Sequence, residues 1–274
     1  MDTQTLATRT DFIRERLPEA LDNNQLELHF QPKVNLLTGQ TCGYEALSRW
    51  RDNHLGQIPP SEFVPIAEGA GLATRLDRLV MHKAISFLKT TRKRKAPSIS
   101  PLSINVSAQH FEDPSLVSFL MSTLDHHGIA GKDIELELTE TSVIRNMRAV
   151  SDCIGQLAEI GIPTVLDDFG TGFCTLSYLT KLPVKQLKID KSFVDAIDTT
   201  EGKSIVESVL NMARGYELSV TAEGIETESQ RRILCDMGCQ MGQGYLFSQP
   251  ITKIELINGL GRHHYTKPCN LGLR

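Results

Sequence analysis

The chain has 274 residues, 40% of them apolar and 23% charged, with a formal net charge of −4. That is enough to bury a substantial core, with one domain as the expected arrangement, and it supplies no basic field for holding duplex nucleic acid. The N-terminal stretch lacks the apolar core of a signal peptide, and no segment approaches the roughly 20 apolar residues of a membrane span, which points to a cytoplasmic protein.

In chain order, residues of about 5–22 form an amphipathic helix, either the entry to a folded unit or the end of a linker. Eight strand-like runs follow: LELHFQPKV, CGYEALSRW, LSINVS, IELELT, TVLDDF, QLKID, LSVTAE and GQGYLF. Helical spacing of apolar residues marks about 61–90, 114–127, 143–160, 202–216, 226–237 and 252–259. Strands alternating with helices imply parallel pairing, and eight of them predict an α/β fold, a (β/α)8 barrel of the TIM type.

The first two runs are joined only by NLLTGQ, too short for a crossover helix, so the barrel is modified by an antiparallel first strand. The expected division is an N-terminal helix or linker over 1–22, a barrel over 23–262 and a C-terminal tail over 263–274. Six scattered cysteines suit reduced thiols, and the pair Cys235 and Cys239 reads as small buried residues. The basic run at 92–95 reads as a solvated helix end.

Polar residues recur at the strand ends. Asn105, Glu137, Asp167 with Asp168, Lys188 and Glu223 fall at or near the ends of successive strands, Glu45 lies inside strand two, and Gln243 begins the last strand. A barrel gathers its strand C-termini at one mouth, so these residues would meet there. Glu45, Asn105, Glu137, Asp167 and Asp168 are hard oxygen donors, which select Mg²⁺ or Mn²⁺ over zinc. Four carboxylates suffice for two divalent ions with one aspartate bridging, a device for phosphate ester hydrolysis. Lys188 would orient the nucleophile or stabilise phosphate charge, and Glu223 would hold a metal-associated water.

With these residues in place, the chain resembles the EAL domain family, whose name is spelled by Glu45, Ala46 and Leu47. The resemblance runs through QPKV, EALSRW, PSEFVPIAEGAGL, INVSAQ, ELELTET, LDDFGTG, LKID, AEGIET and GQGYLFSQP. It implies a Mg²⁺- or Mn²⁺-dependent phosphodiesterase, two ions per site, that converts cyclic di-GMP to linear pGpG in bacterial signalling.

By position the resemblance makes Glu45, Asn105, Glu137, Asp167, Asp168 and Glu223 metal ligands. Lys188, Glu223, Glu45 and Asp167 become the catalytic group. Gln31, Glu45, Leu47, Arg49, Asn105, Asp167, Lys188 and Gln243 become substrate contacts, with Arg49 at a phosphate. It further implies that DDFGTGFCTLSYL is a mobile loop coupling the site to homodimerisation, anchored by Glu140, with Phe173, Cys174 and Thr175 where many members carry Tyr-Ser-Ser. Regulation by attached or partner sensory, receiver or GGDEF-type domains is also implied. The competing readings are a catalytically silent cyclic di-GMP receptor, whose usual mark of lost ligands is not seen, and an unrelated barrel hydrolase of another phosphodiester.

Overall fold

The computed structural model describes residues 3–93, 99, 101–139, 144–170 and 179–259, with the side chains of 3–8 and 93 outside that description. Helix α1 (Thr3–Asp22) buries Ile13, Leu17, Ala20 and Leu21, a three-and-four spacing that makes one apolar stripe. The chain then enters β1 (Leu26–Asn35) and returns along β2 (Thr41–Asp52). Leu26 pairs with Trp50 and Gln31 with Glu45, so the two strands form the antiparallel hairpin that their short connection demands.

From β2 the sheet continues in parallel through β4 (Leu102–Val106), β5 (Ile134–Thr139), β6 (Thr164–Phe169), β7 (Gln186–Ile189), β8 (Ser219–Ala222) and β9 (Met241–Gly242). Pairing of Val34 with Gly242 closes the barrel antiparallel to β1. Eight strands therefore make the closed wall. Two short strands lie outside it: β3 (Gly56–Ile58) extends β2, and β10 (Ile251–Thr252) lies against His29 and Phe30 of β1.

Several expected boundaries are corrected. The helix expected over 61–90 is two, α2 (Pro60–Gly69) and α3 (Ala73–Lys93), because the chain turns at Gly71 with φ of +69° and Leu72 N–H bonds back to Ala67 O. The last expected strand, GQGYLF, keeps only two residues. Beyond Gly242 the backbone bonds to the loop at Ile225 and then folds into a turn, with Phe247 and Ser248 N–H both reaching Gly244 O. Gln243 therefore follows its strand instead of beginning it.

Two short helices, α4 (Ala108–Phe111) and, after β7, α7 (Lys191–Asp195), were not expected. The ring is otherwise built from α5 (Ser115–His127), α6 (Met147–Glu159), α8 (Thr200–Gly215), α9 (Glu228–Asp236) and α10 (Lys253–Ile257). Arg92 at the end of α3 is exposed, as a solvated helix end requires, and its guanidinium also pairs with the buried Asp133 at 2.5 Å. No disulfide links the cysteines among the described residues; Cys235 and Cys239 are buried and their thiols donate to backbone carbonyls.

The barrel wall is apolar outward and polar inward. Leu102, Ile104, Leu136, Leu138, Leu166 and Leu187 are almost wholly buried. Their neighbours along the strands include Ser103, Asn105, Glu135, Glu137, Asp167, Gln186 and Lys188. Deep in the barrel Lys33 meets both Ser103 and Glu135, while Gln186 donates to Thr221 Oγ1 at 2.6 Å. Pairing satisfies groups that would otherwise be costly to bury.

Candidate active site

Above that floor, Lys188 is the centre of a second polar layer. Its ammonium is fully buried and lies 2.7 Å from Glu223 Oε1, 2.9 Å from Glu137 Oε2, 3.1 Å from Asp167 Oδ2 and 3.6 Å from Glu45 Oε2. Parallel register explains the convergence, since β5, β6, β7 and β8 deliver their ends to the same side of the wall. Glu45 reaches the layer from the middle of β2, which runs past the rim toward Asp52.

Amides orient the carboxylates. Asn105 Nδ2 donates to Glu45 Oε1 at 2.7 Å, and Gln243 Nε2 donates to Glu45 Oε2 at 2.7 Å. Gln243 also donates to Gln31 Oε1 at 3.0 Å, and Gln31 in turn donates to the Ser248 carbonyl. Both oxygens of Glu45 are therefore fixed. Asp168 adopts φ of 54°, a left-handed conformation uncommon outside glycine that re-aims its side chain beside Asp167.

Ligand oxygens of Glu45, Glu137 and Asp167 lie within 4.8 Å of one another, and so do those of Asp167, Asp168 and Glu223. Each triad could hold a metal ion, and Asp167 belongs to both. Glu137 Oε1 is buried with no hydrogen-bond partner among the described residues, as is Gln243 Oε1. A buried carboxylate oxygen without a donor fits a cation as its partner, and the all-oxygen set fits a hard one.

Protonation reflects the crowding. Burial works against the Lys188 ammonium, but Asp167, Glu137, Glu223 and Glu45 together hold its pKa well above the ordinary value. Burial pushes Glu137 up to about 7 despite Lys188, with Glu45 and Asp167 adding to the rise. Burial and the neighbouring Asp167 push Asp168 up to about 6, and burial raises Glu223 well above the carboxylate range. Glu45 goes the other way: burial opposes its charge, yet Lys188, Gln243 and Asn105 hold it low.

The remaining expected residues stand nearer the rim. Leu47 lines a cavity of about 540 Å³ together with Asn105, Asp168 and residues of α2 and α3. Arg49, half-buried, faces Glu27 across the hairpin and donates to the Ser48 carbonyl at 2.8 Å. Glu140 and the loop segment 171–178 lie outside the described residues, so the expected anchor carries no structural account. Sequence reading missed Lys33, Ser103 and Glu135 beneath the site and Asp77 beside it, although each is a polar residue set within an apolar pattern.

The EAL domain model matches residues 14–250. The chain belongs to the EAL domain family. Similar proteins include the cyclic di-GMP phosphodiesterase NbdA of Pseudomonas aeruginosa, 35% identical over 246 residues, 89% of this chain and 31% of that protein. The oxygen sensor protein DosP of Escherichia coli is 37% identical over 253 residues, 90% of this chain and 32% of that protein. The chain thus spans about a third of the length of these curated relatives. Among solved structures, the c-di-GMP complex of the PaMucR phosphodiesterase superposes with a TM-score of 0.82 at 33% identity, covering 89% of this chain and 99% of that one.

Proposed function

We propose that this EAL domain hydrolyses cyclic di-GMP to linear pGpG with two Mg²⁺ or Mn²⁺ ions. The observation that carries the reading is a charge imbalance: Glu45, Glu137, Asp167, Asp168 and Glu223 crowd around one ammonium, Lys188. Five carboxylates against one cation fit divalent ions far better than they fit a structural core. The cyclic di-GMP phosphodiesterase name of one relative and the c-di-GMP complex of a structural neighbour support the choice of substrate.

Glu45, Asn105, Glu137, Asp167, Asp168 and Glu223 would hold the ions, with Asp167 shared. The bound ions supply Lewis-acid stabilisation of the phosphoryl oxygens and acidify water. Lys188, held protonated by its neighbours, donates to the attacking oxygen and stabilises charge on the phosphate. Glu223, 2.7 Å from Lys188, would hold the water at the same point. Gln31 and Gln243 fix Glu45, Leu47 offers an apolar wall to a base, and Arg49 pairs with the second phosphate through its guanidinium fork.

The reading extends to context. None of the described helices is long and apolar enough to cross a membrane. A cytoplasmic location, a homodimer coupled to the site through the loop 167–179 that Glu140 anchors, and regulation by attached or partner sensory, receiver or GGDEF-type domains belong to the same proposal. The longer lengths of the relatives support the last of these. The proposed division is a helix or linker over 1–22, the barrel over 23–262 and a tail over 263–274.

Purified protein incubated with cyclic di-GMP and Mg²⁺ should yield pGpG on chromatography, and Glu45→Ala should abolish it. Binding without product would replace the enzyme by a silent receptor. Near-normal turnover by Glu45→Ala at saturating Mg²⁺ would sink the ligand assignment.

A further inference from the structure

We infer that Asp77 is a positioning residue for this site, clamping the end of β4 so that Asn105 keeps its bond to Glu45. The inference rests on the proposed metal-dependent reaction and adds a residue to it. Asp77 lies on α3, on the same helical stripe as the buried Val80, Met81 and Ala84, and is itself only 7% exposed. A carboxylate on such a stripe demands a partner, because burying it unpaired is costly.

Its partner is Ser107. Asp77 Oδ2 accepts from Ser107 N–H at 3.0 Å and from Ser107 Oγ at 2.6 Å. Ser107 is the first residue beyond β4 and occupies the N-cap of α4, yet its hydroxyl makes no cap bond to its own helix. The ladder between β4 and β5 ends at Val106, paired with Leu138, so the next N–H must find another acceptor. Asp77 supplies it.

Two residues before Ser107, Asn105 donates to Glu45 at 2.7 Å. The chain from Asp77 to Glu45 is thus three short steps: a two-point clamp, two residues of backbone, and one amide bond. His110 encloses the other side of the clamp; it is fully buried, with Nδ1 3.4 Å from the same Asp77 oxygen. Asp77, Ser107 and Asn105 all line the 540 Å³ cavity that reaches Asp168. A slackened clamp would let the Asn105 amide drift from Glu45 on the wall where the cavity meets the carboxylates.

Partners that orient metal ligands typically contribute about 10–100-fold to metal affinity or activity. Asp77→Asn, Ser107→Ala and Ser107→Thr, made in the full chain, test the clamp. Mn²⁺ affinity is read by electron paramagnetic resonance without substrate, and kcat and KM for cyclic di-GMP are read with Mg²⁺. Ser107→Ala should weaken Mn²⁺ binding and lower kcat by about tenfold or more, with KM little changed, Ser107→Thr should restore both, and Asp77→Asn, which keeps an acceptor oxygen but loses its charge, should fall between.

Wild-type Mn²⁺ affinity and kcat in Ser107→Ala, with only a lower melting temperature, would overturn the inference and leave a purely structural contact. If Asp77→Asn fails to fold, the Ser107 pair decides. Absence of pGpG from the wild type would sink the functional proposal, whereas the Mn²⁺ titration would still judge the clamp.

Discussion

Asp167 Oδ2 lies 3.1 Å from Lys188 Nζ, and Asp167 is also the residue common to the two carboxylate triads. One side chain therefore joins both candidate ion positions to the buried ammonium. That junction ties metal binding to the group proposed to act on the nucleophile.

Lys188→Met should accordingly lower kcat by about 10²–10³-fold, the usual range for one lost donor to a reacting oxygen. The stabilisation of the variant by Mg²⁺ should persist, since no carboxylate is removed. Product formation and melting temperature with and without Mg²⁺ check the two halves. Turnover within tenfold of wild type would assign Lys188 a charge-balancing role only.

Protons compete with the ions. Folded Glu137 is raised from 4.5 to about 7 and Asp168 from 3.8 to about 6, so the metal-free protein holds these protons more tightly than the unfolded chain. Their contribution to stability is present at low pH and is lost as pH rises through about 6 to 7. Added Mg²⁺ should therefore raise the melting temperature more at pH 8 than at pH 6. An equal or larger shift at pH 6 would contradict the assignment.

Gly170 directly follows β6 with φ of +100°, and a Cβ there would meet the Phe193 ring of α7 at 2.7 Å. Gly170→Ala should cost about 1–3 kcal/mol of stability by urea denaturation. Part of the cost is steric and part is backbone strain. In a Phe193→Ala background the same substitution should cost less but not nothing, a coupling that a double-mutant cycle reads directly.

Asp52, at the end of β2 and paired with Arg16 of α1, offers a test of how that helix is held. Its buried carboxylate accepts from His54 and Leu55 N–H and from Arg16 at 2.7 Å; despite burial, these bonds hold it down at about 2. Its stabilising contribution is present above the ordinary 3.8 and lost as pH falls through about 2. Asp52→Asn should melt below wild type at pH 7, and the gap should narrow from pH 4 downward. A constant gap would mean that packing, not charge, fixes α1.

The barrel could be read from sequence because its strands are short apolar runs with inward charges; IELELT matches β5 at both ends. The EAL segment likewise announced Glu45 by setting a carboxylate between two buried neighbours. Less could be read where meaning depends on distant partners. Asp77 takes its role from Ser107, 30 residues on, and Lys33 from Ser103, 70 residues on. Helices of four or five residues, such as α4 and α7, are too short to show a period. GQGYLF misled because strand-like composition does not reveal that Ile225 captures the backbone after Gly242.

Reversal of β1 has a geometric result for the whole protein. In an all-parallel barrel the chain enters its first strand at the floor, remote from the chemistry. Here Leu26 stands opposite Trp50, so the chain enters beside the rim and descends past Gln31 toward Lys33. Helix α1 is consequently moored at the carboxylate-bearing end, through Arg16 to Asp52 and through Arg9 to Glu62 on α2. A single inverted strand thus puts α1 within one helix of the cavity lined by Leu47, Asn105 and Asp168, and a push or twist on α1 would arrive there without crossing the barrel.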